Sequence, residues 1–280
     1  MKTSHDVAVS RVSRADTAAR ADEAFVTHVS WALERTAGMV TQVRPDLVLA
    51  DSGLPCDTFN FVCRARLDRT VVRQAALEAA SYFARVQRPF SWWVGPADQP
   101  RDLAAVLEDL GLQPEETELA MSMLLDALPA AVRDVPGLEV RRVRTEAELD
   151  AFAQIAAANW SPPDPHVLTF YRRTSAALLS AEAPQWLYLG YLGGEPVATA
   201  EATLNAGTVA LFNIATREPF RGRGIGSRIT WRPLRDAYTA GCDLAVLQAA
   251  EAGVGLYRRL GFTDFGRITE YKPGSSADSA

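Results

Sequence analysis

The stretch that most constrains the fold runs from Val209 to Tyr238. Its first part, Val209 to Ile214, is apolar with β-branched and aromatic residues, and reads as a strand. Pro219 cannot donate to a sheet ladder, so the strand has ended by then. Arg221-Gly-Arg-Gly-Ile-Gly226 follows, and then Ile229, Trp231, Leu234 and Tyr238 recur at roughly helical spacing. The order is strand, glycine-rich turn, helix. Such a turn aims backbone N–H groups at whatever lies above the helix N-terminus, where the dipole favours an anion. Glycines let the anion approach closely, and Arg221 and Arg223 add forked donors suited to phosphate.

The spacing is neither GxxxxGK[ST] nor GxGxxG, since no lysine follows and the third glycine comes one residue early. It is Arg-x-x-Gly-x-Gly, from Arg221 to Gly226. Downstream, Leu244 to Leu247 reads as the next strand, and Leu256-Tyr-Arg-Arg-Leu-Gly-Phe262 closes the following helix. Together these motifs resemble those of the GNAT N-acetyltransferases, in the family's order. The resemblance is specific over residues 138–272 and implies an α+β fold, a mixed and mostly antiparallel sheet flanked by helices. It also implies acetyl-coenzyme A (acetyl-CoA) as cosubstrate.

Composition sets wider bounds. The chain has 280 residues, 48% of them apolar, and a net charge of −5. That is long enough for two modest domains or one large one, and the mild acidity argues against a nucleic-acid partner. Cys56, Cys63 and Cys242 are odd in number and form no CxxC, and His5, His28 and His166 are scattered. A disulfide framework or a metal centre is therefore not expected. The first 20 residues lack the apolar core of a secretory signal, and no run approaches a membrane span, so a cytoplasmic location is the default. The oligomeric state is open, a monomer among the options.

In order, residues 1–20 read as a polar tail and Ala21 to Met39 as a helix. Pro45 to Pro55 reads as irregular, Thr58 to Ala65 as a strand and Arg69 to Val86 as a helix. Pro89 to Pro96 gives a short aromatic strand, Arg101 to Leu110 a helix capped by Gly111, and Glu118 to Leu125 a strand. Pro129 to Gly137 reads as a linker. Leu138 to Val143 is then a strand, and Thr145 opens a helix with Glu148 completing a capping box. After Pro162, Pro163 and Pro165, a helix spans Val167 to Leu179. Trp186–Leu192, Pro196–Leu204 and Thr208–Ile214 form a meander with turns at Gly193-Gly194 and Gly207. A last strand runs through Tyr271, and residues 273–280 read as a tail.

The sequence also echoes itself. Trp92-Trp93-Val94, a helix, Leu110-Gly-Leu112 and a strand resemble Val246-Leu247, a helix, Leu260-Gly-Phe262 and a strand. Residues 21–130 therefore read as a degenerate unit without the phosphate turn, and 138–272 as the acting unit, in a tandem arrangement.

The resemblance implies direct attack of a small-molecule amine on the bound thioester. Asn213, Ile214, Ala215 and Thr216 would run beside the pantetheine arm, with Arg221, Gly222, Arg223, Gly224, Ile225, Gly226 and Ser227 around the pyrophosphate. Tyr257, one turn before Gly261, matches the tyrosine that protonates or holds the leaving sulfur, against a packing role as the competing reading. Position 250, where related sequences carry a small polar residue, is alanine. The strand before the turn offers Asn213, which cannot take a proton, so Glu201, Asp164 and His166 are the candidate bases. Glu201 sits among small residues, where burial is expected to raise its pKa. Trp160, His166 and Tyr171 are the candidate acceptor contacts, and Trp92 and Trp93 either close the cleft or fill the core. The alternatives are an amino-sugar acceptor, as in mycothiol synthase, and a non-catalytic acyl-CoA-binding regulator.

Overall fold

The computed structural model describes residues 12–274. Ser13 caps the first helix, α1 (Arg14–Ser30), by accepting from the Asp16 N–H at 3.0 Å. The expected tail is thus helical from Arg14 onward. Two of its charges anchor it to the far half of the chain: Arg14 donates to the Phe265 carbonyl, and Arg20 Nε to Thr208 Oγ1 at 2.9 Å. The expected tail at 273–280 lies mostly outside the described residues.

Two short strands follow, β1 (Val40–Val43) and β2 (Val48–Asp51), where the sequence reads as irregular from Pro45. Pro45 belongs to the turn between them. β2 is wholly buried, so it lacks the alternation that marks a strand, and it ends on Asp51, which accepts from the Tyr82 hydroxyl at 2.7 Å. Then come β3 (Asn60–Cys63), α2 (Val72–Arg85), β4 (Ser91–Val94), α3 (Leu103–Asp109) and β5 (Leu112–Leu124). β5 begins six residues before the expected Glu118, because its polar start pairs with the C-terminal strand.

Past the Pro129–Gly137 stretch lie β6 (Leu138–Arg142), α4 (Glu146–Ala157) and α5 (Pro165–Leu178). The Thr145–Glu148 capping box forms in full, and Asp164 caps α5. The remaining elements are β7 (Gln185–Leu192), β8 (Glu195–Asn205), β9 (Thr208–Thr216), α6 (Ile225–Thr239), β10 (Leu244–Ala249), α7 (Glu251–Leu260) and β11 (Thr263–Pro273).

Among the described residues eleven strands form one sheet, in the order β1-β2-β3-β4-β11-β5-β10-β9-β8-β7-β6. It is mostly antiparallel, with β3–β4 and β9–β10 parallel. The two halves are interleaved at its centre. β11 lies between β4 and β5 of the first half, and β5 lies between β10 and β11 of the second. The repeated pattern read in the sequence, strand–helix–Leu-Gly-apolar–strand, is β4-α3-β5 and β10-α7-β11, related about the antiparallel β5–β11 pair. Each half completes its sheet only with a strand of the other.

Helices cover both faces. α1, α4 and α5 share one core with the inner side of β2, β3 and β7, centred on Phe152, Tyr171 and Leu187. α6 and α7 pack on the opposite face around Ile229, Leu234 and Tyr188, and α2 and α3 around Trp92 and Phe83. Trp92 is thus a core residue, as strand alternation requires of one of two adjacent tryptophans. Among the described residues no helix is long and apolar enough to cross a membrane.

Candidate active site

The glycine-rich turn has the geometry its residue types require. Gly222 and Gly224 have φ of 73° and 87°, a region open to glycine at no steric cost. Gly224 is the residue before α6, and no side chain caps the helix there. The first-turn N–H groups have no intrahelical partner, so they remain available to an anion. A Cβ at Gly222 would meet nothing within 4 Å, so the backbone is open to a ligand at that point. Gly226 serves packing: a Cβ there would come within 2.9 Å of Leu256 on α7. Arg221 Nε donates to the Thr216 carbonyl at 2.9 Å, which ties the turn to the end of β9, and the Arg223 guanidinium lies over Phe220.

β9 reaches that turn by leaving its neighbour. Parallel pairing with β10 ends at Leu211 opposite Leu247, while β10 continues against β5 to Ala249. On the other side, β9 carries an extra residue against β8 between Thr199 and Glu201. Asn213 sits in this bulge with φ of 50°, and bulges of this kind bend a strand and re-aim its side chains. The edge of Asn213, Ile214, Ala215 and Thr216 that faces away from β8 is therefore not part of a ladder.

Next to this gap is a cavity of about 400 Å³, lined by both halves. Phe25, Phe61 and Trp93 come from the first half, and Phe170, Tyr171 and Phe212 from the second. Asp57, Glu116, Glu118, Glu270 and Lys272 are among its polar residues, and Lys272 pairs with Asp57 at 2.9 Å and Glu270 at 3.4 Å. Glu118 has no hydrogen-bond or ion-pair partner among the described residues. Burial, together with Glu116 and Glu270, pushes its pKa up to about 7.

Glu201 lines the cavity and is 2% exposed. It accepts from His28 Nδ1 at 2.8 Å, Asn213 Nδ2 at 2.9 Å, Gln185 Nε2 at 3.2 Å and the Tyr171 hydroxyl at 3.4 Å. Burial alone would raise its pKa, but the charge and hydrogen bond of His28 and the amides of Asn213 and Gln185 outweigh it, and the net direction is down. The expected upward shift is thereby reversed. A carboxylate saturated with donors is a poor proton acceptor, which argues against Glu201 as the base. Tyr171 is fully buried, and burial and the Glu201 charge push its hydroxyl well up, so it stays a donor.

Tyr257 is 9% exposed on α7, its ring edge-on to Phe262 at 6.1 Å. Burial and the nearby Glu118 charge push its pKa up to about 12, so the phenol is protonated at neutral pH. Its hydroxyl has no hydrogen-bond partner among the described residues. Of the acceptor contacts expected from sequence, Trp160 and Tyr171 line the cavity and His166 does not. His166 occupies the first turn of α5, its N–H held by Asp164 at 2.8 Å, and Asp164 is spent as that helix's cap. Trp93 joins the cavity wall. His28, Glu118, Gln185 and Phe212 also line the cavity and were not legible as neighbours, because each meets the others only across the sheet.

Residues 149–262 match the model of the acetyltransferase (GNAT) family. Among solved structures, the chain is similar to a GCN5-related N-acetyltransferase from Kribbella flavida, at 21% identity over 91% of this chain and 95% of that one, with a TM-score of 0.71. It is also similar to a tandem GNAT protein from the clavulanic acid biosynthesis pathway, at 15% identity over 94% of both chains, TM-score 0.61. A GCN5-related N-acetyltransferase from Sphaerobacter thermophilus shares 17% identity over 94% of this chain and 95% of that one, TM-score 0.59. At these identities the likeness is one of fold. No curated protein sequence matches the chain.

Proposed function

From the premise that residues 149–262 are an acetyltransferase domain of the GNAT family, we propose that the protein transfers an acetyl group from acetyl-CoA to a small-molecule amine by direct attack. The family uses acetyl-CoA as cosubstrate, which supplies an activated acyl carbon. The residues fit such a ligand. The open backbone at Gly222, the N-terminus of α6, Arg221 and Arg223 suit a pyrophosphate. The unladdered edge of β9 suits the amides of the pantetheine arm, and one of its N–H groups can steady developing oxyanion charge.

The observation that carries the reading is the gap between β9 and β10: β9 runs on from it to the turn, and Asn213 and Gln248 at its edge line the cavity. Donor and acceptor meet there, and holding both supplies proximity and orientation. Glu116, Glu118 and Glu270 among Phe25, Phe61 and Trp93 favour a cationic acceptor, through charge and ring faces together. The protonated Tyr257 is the residue suited to meet the departing sulfur. Oriented groups on both sides of the gap favour turnover over a purely regulatory role.

The test is calorimetry with acetyl-CoA, then thiol release with a panel of phenethylamine, 1,4-diaminobutane, glucosamine and the matching alcohols. One binding site and turnover with an amine support the reading. Binding without release from any amine would favour the regulator, and glucosamine alone the amino-sugar acceptor.

A further inference from the structure

His28 stands in the last turn of α1, in the first half, yet groups of the second half fix its ring. Ionised Glu201 can only accept, so Nδ1 carries the proton of the 2.8 Å contact, and in the neutral imidazole the lone pair is then on Nε2. Phe212 stacks on the ring with centroids 3.7 Å apart and planes 13° apart, and Phe25 flanks it at 6.2 Å. Gln185 Nε2 donates both to the His28 carbonyl at 3.1 Å and to Glu201 at 3.2 Å, joining the helix backbone to the carboxylate. The Asn205 amide holds the preceding Thr27 hydroxyl at 2.8 Å. Nε2 has no hydrogen-bond partner among the described residues, and the side chain, 18% exposed, lines the cavity beside the β9 bulge.

We propose that His28 is the general base of the acetyl transfer and that Glu201 is the positioning residue that holds it with Nε2 free. This rests on the acetyl-transfer reading. The acceptor nitrogen enters as an ammonium and must shed two protons to become an amide. His28 Nε2 takes the first and passes it to solvent. The freed lone pair forms the N–C bond at the thioester carbonyl carbon, and the C–S bond breaks with its electron pair on sulfur. The second proton ends on that sulfur, through the Tyr257 hydroxyl. Glu118 also lines the cavity, but nothing among the described residues orients it, whereas His28 is held at Nδ1 and across its ring face. The half without a phosphate turn thus supplies the base.

The decisive variant is His28→Asn, whose amide can keep the donor to Glu201 while removing Nε2. With whichever panel amine the parent acetylates, thiol release should fall about 10²–10⁴-fold, with acetyl-CoA affinity and melting temperature unchanged. His28→Ala should regain part of the lost rate with added imidazole, which fits the slot beside Phe212. Nitrogen-15 NMR of the imidazole should show Nδ1–H in the parent. In Glu201→Gln the side-chain amide can donate or accept, so the Nδ1–H fraction should drop along with kcat while KM holds. An Nε2–H tautomer in the parent, or parental turnover in His28→Asn, overturns the assignment. So does loss of turnover in Glu118→Gln alone, which would make Glu118 the base. A parent that releases no thiol with any amine fails the acetyl-transfer reading before any substitution is made, and this proposal with it.

Discussion

Ala120 of β5 stands directly opposite Gln248 of β10, so a strand from the first half is the sheet neighbour of the second half's central strand. Gln248 lines the cavity, and Glu118, two residues before Ala120, lines it from the neighbouring strand. The cavity wall is therefore assembled by the exchange of strands.

Residues 1–130 expressed alone should not melt cooperatively. β4 and β5 are not neighbours in the sheet, since β11 separates them, and the fragment would expose unpaired edges on both. It should bind no acetyl-CoA by calorimetry, and mixing with residues 131–280 should restore a cooperative transition. A fragment that melts sharply and binds the cosubstrate would refute this.

Gly224→Glu should abolish acetyl-CoA binding. The position has φ of 87°, where a side chain costs about 1–2 kcal/mol, and a Cβ there lies 3.3 Å from Val135 Cγ2. A carboxylate at the helix N-terminus would also compete with the pyrophosphate. Gly224→Ala separates strain from charge and should lose less affinity. Two equivalent sites in the parent, or parental affinity in Gly224→Glu, would contradict the single-turn reading.

Tyr257→Phe should lower kcat by about 10²–10⁴-fold with little change in acetyl-CoA affinity, because the hydroxyl matters once charge has built up on sulfur. The ring stays, so the melting temperature should hold. Gly253→Ala offers an independent check, since a Cβ there would come 2.8 Å from Tyr257 Cε2 and push the ring aside. Full activity in Tyr257→Phe would reject the role.

Glu118→Gln should stabilise the fold above neutrality and not in acid. The folded pKa of about 7 lies above the ordinary 4.5, so this group's contribution is fully present below 4.5 and is lost as pH rises through 7. At about pH 8.5 the variant should gain on the order of 2 kcal/mol over the parent, and at about pH 4 almost nothing. Denaturant unfolding at the two pH values measures it, and an equal gain at both would contradict the shift.

Local chemistry carried much of this into the sequence. Arg221 to Gly226 wrote its own turn, because positive φ at Gly222 and Gly224 needs no Cβ and a helix must start after them. The Thr145–Glu148 box, the Asp164–Pro165 start of α5 and Gly261 after α7 are likewise interactions within a few residues of chain. The echo of β4-α3-β5 in β10-α7-β11 was legible for the same reason. β2 was not, since a buried four-residue strand shows no period, and neither was the helical run from Arg14, whose charges read as a tail until their partners Phe265, Thr208 and Asp243 are in place.

Sequence alone thus determined where the glycine-rich turn lies and which strands and helices flank it, because dihedral preference and side-chain period act over a turn or two of chain. Only the tertiary structure decided that β5 and β11 change places, and that His28 meets Glu201 across 173 residues. It also decided the sign of the Glu201 shift. Burial was visible in its small neighbours, but the donors that outweigh burial come from α1, β7 and β9 and converge only once the sheet is built.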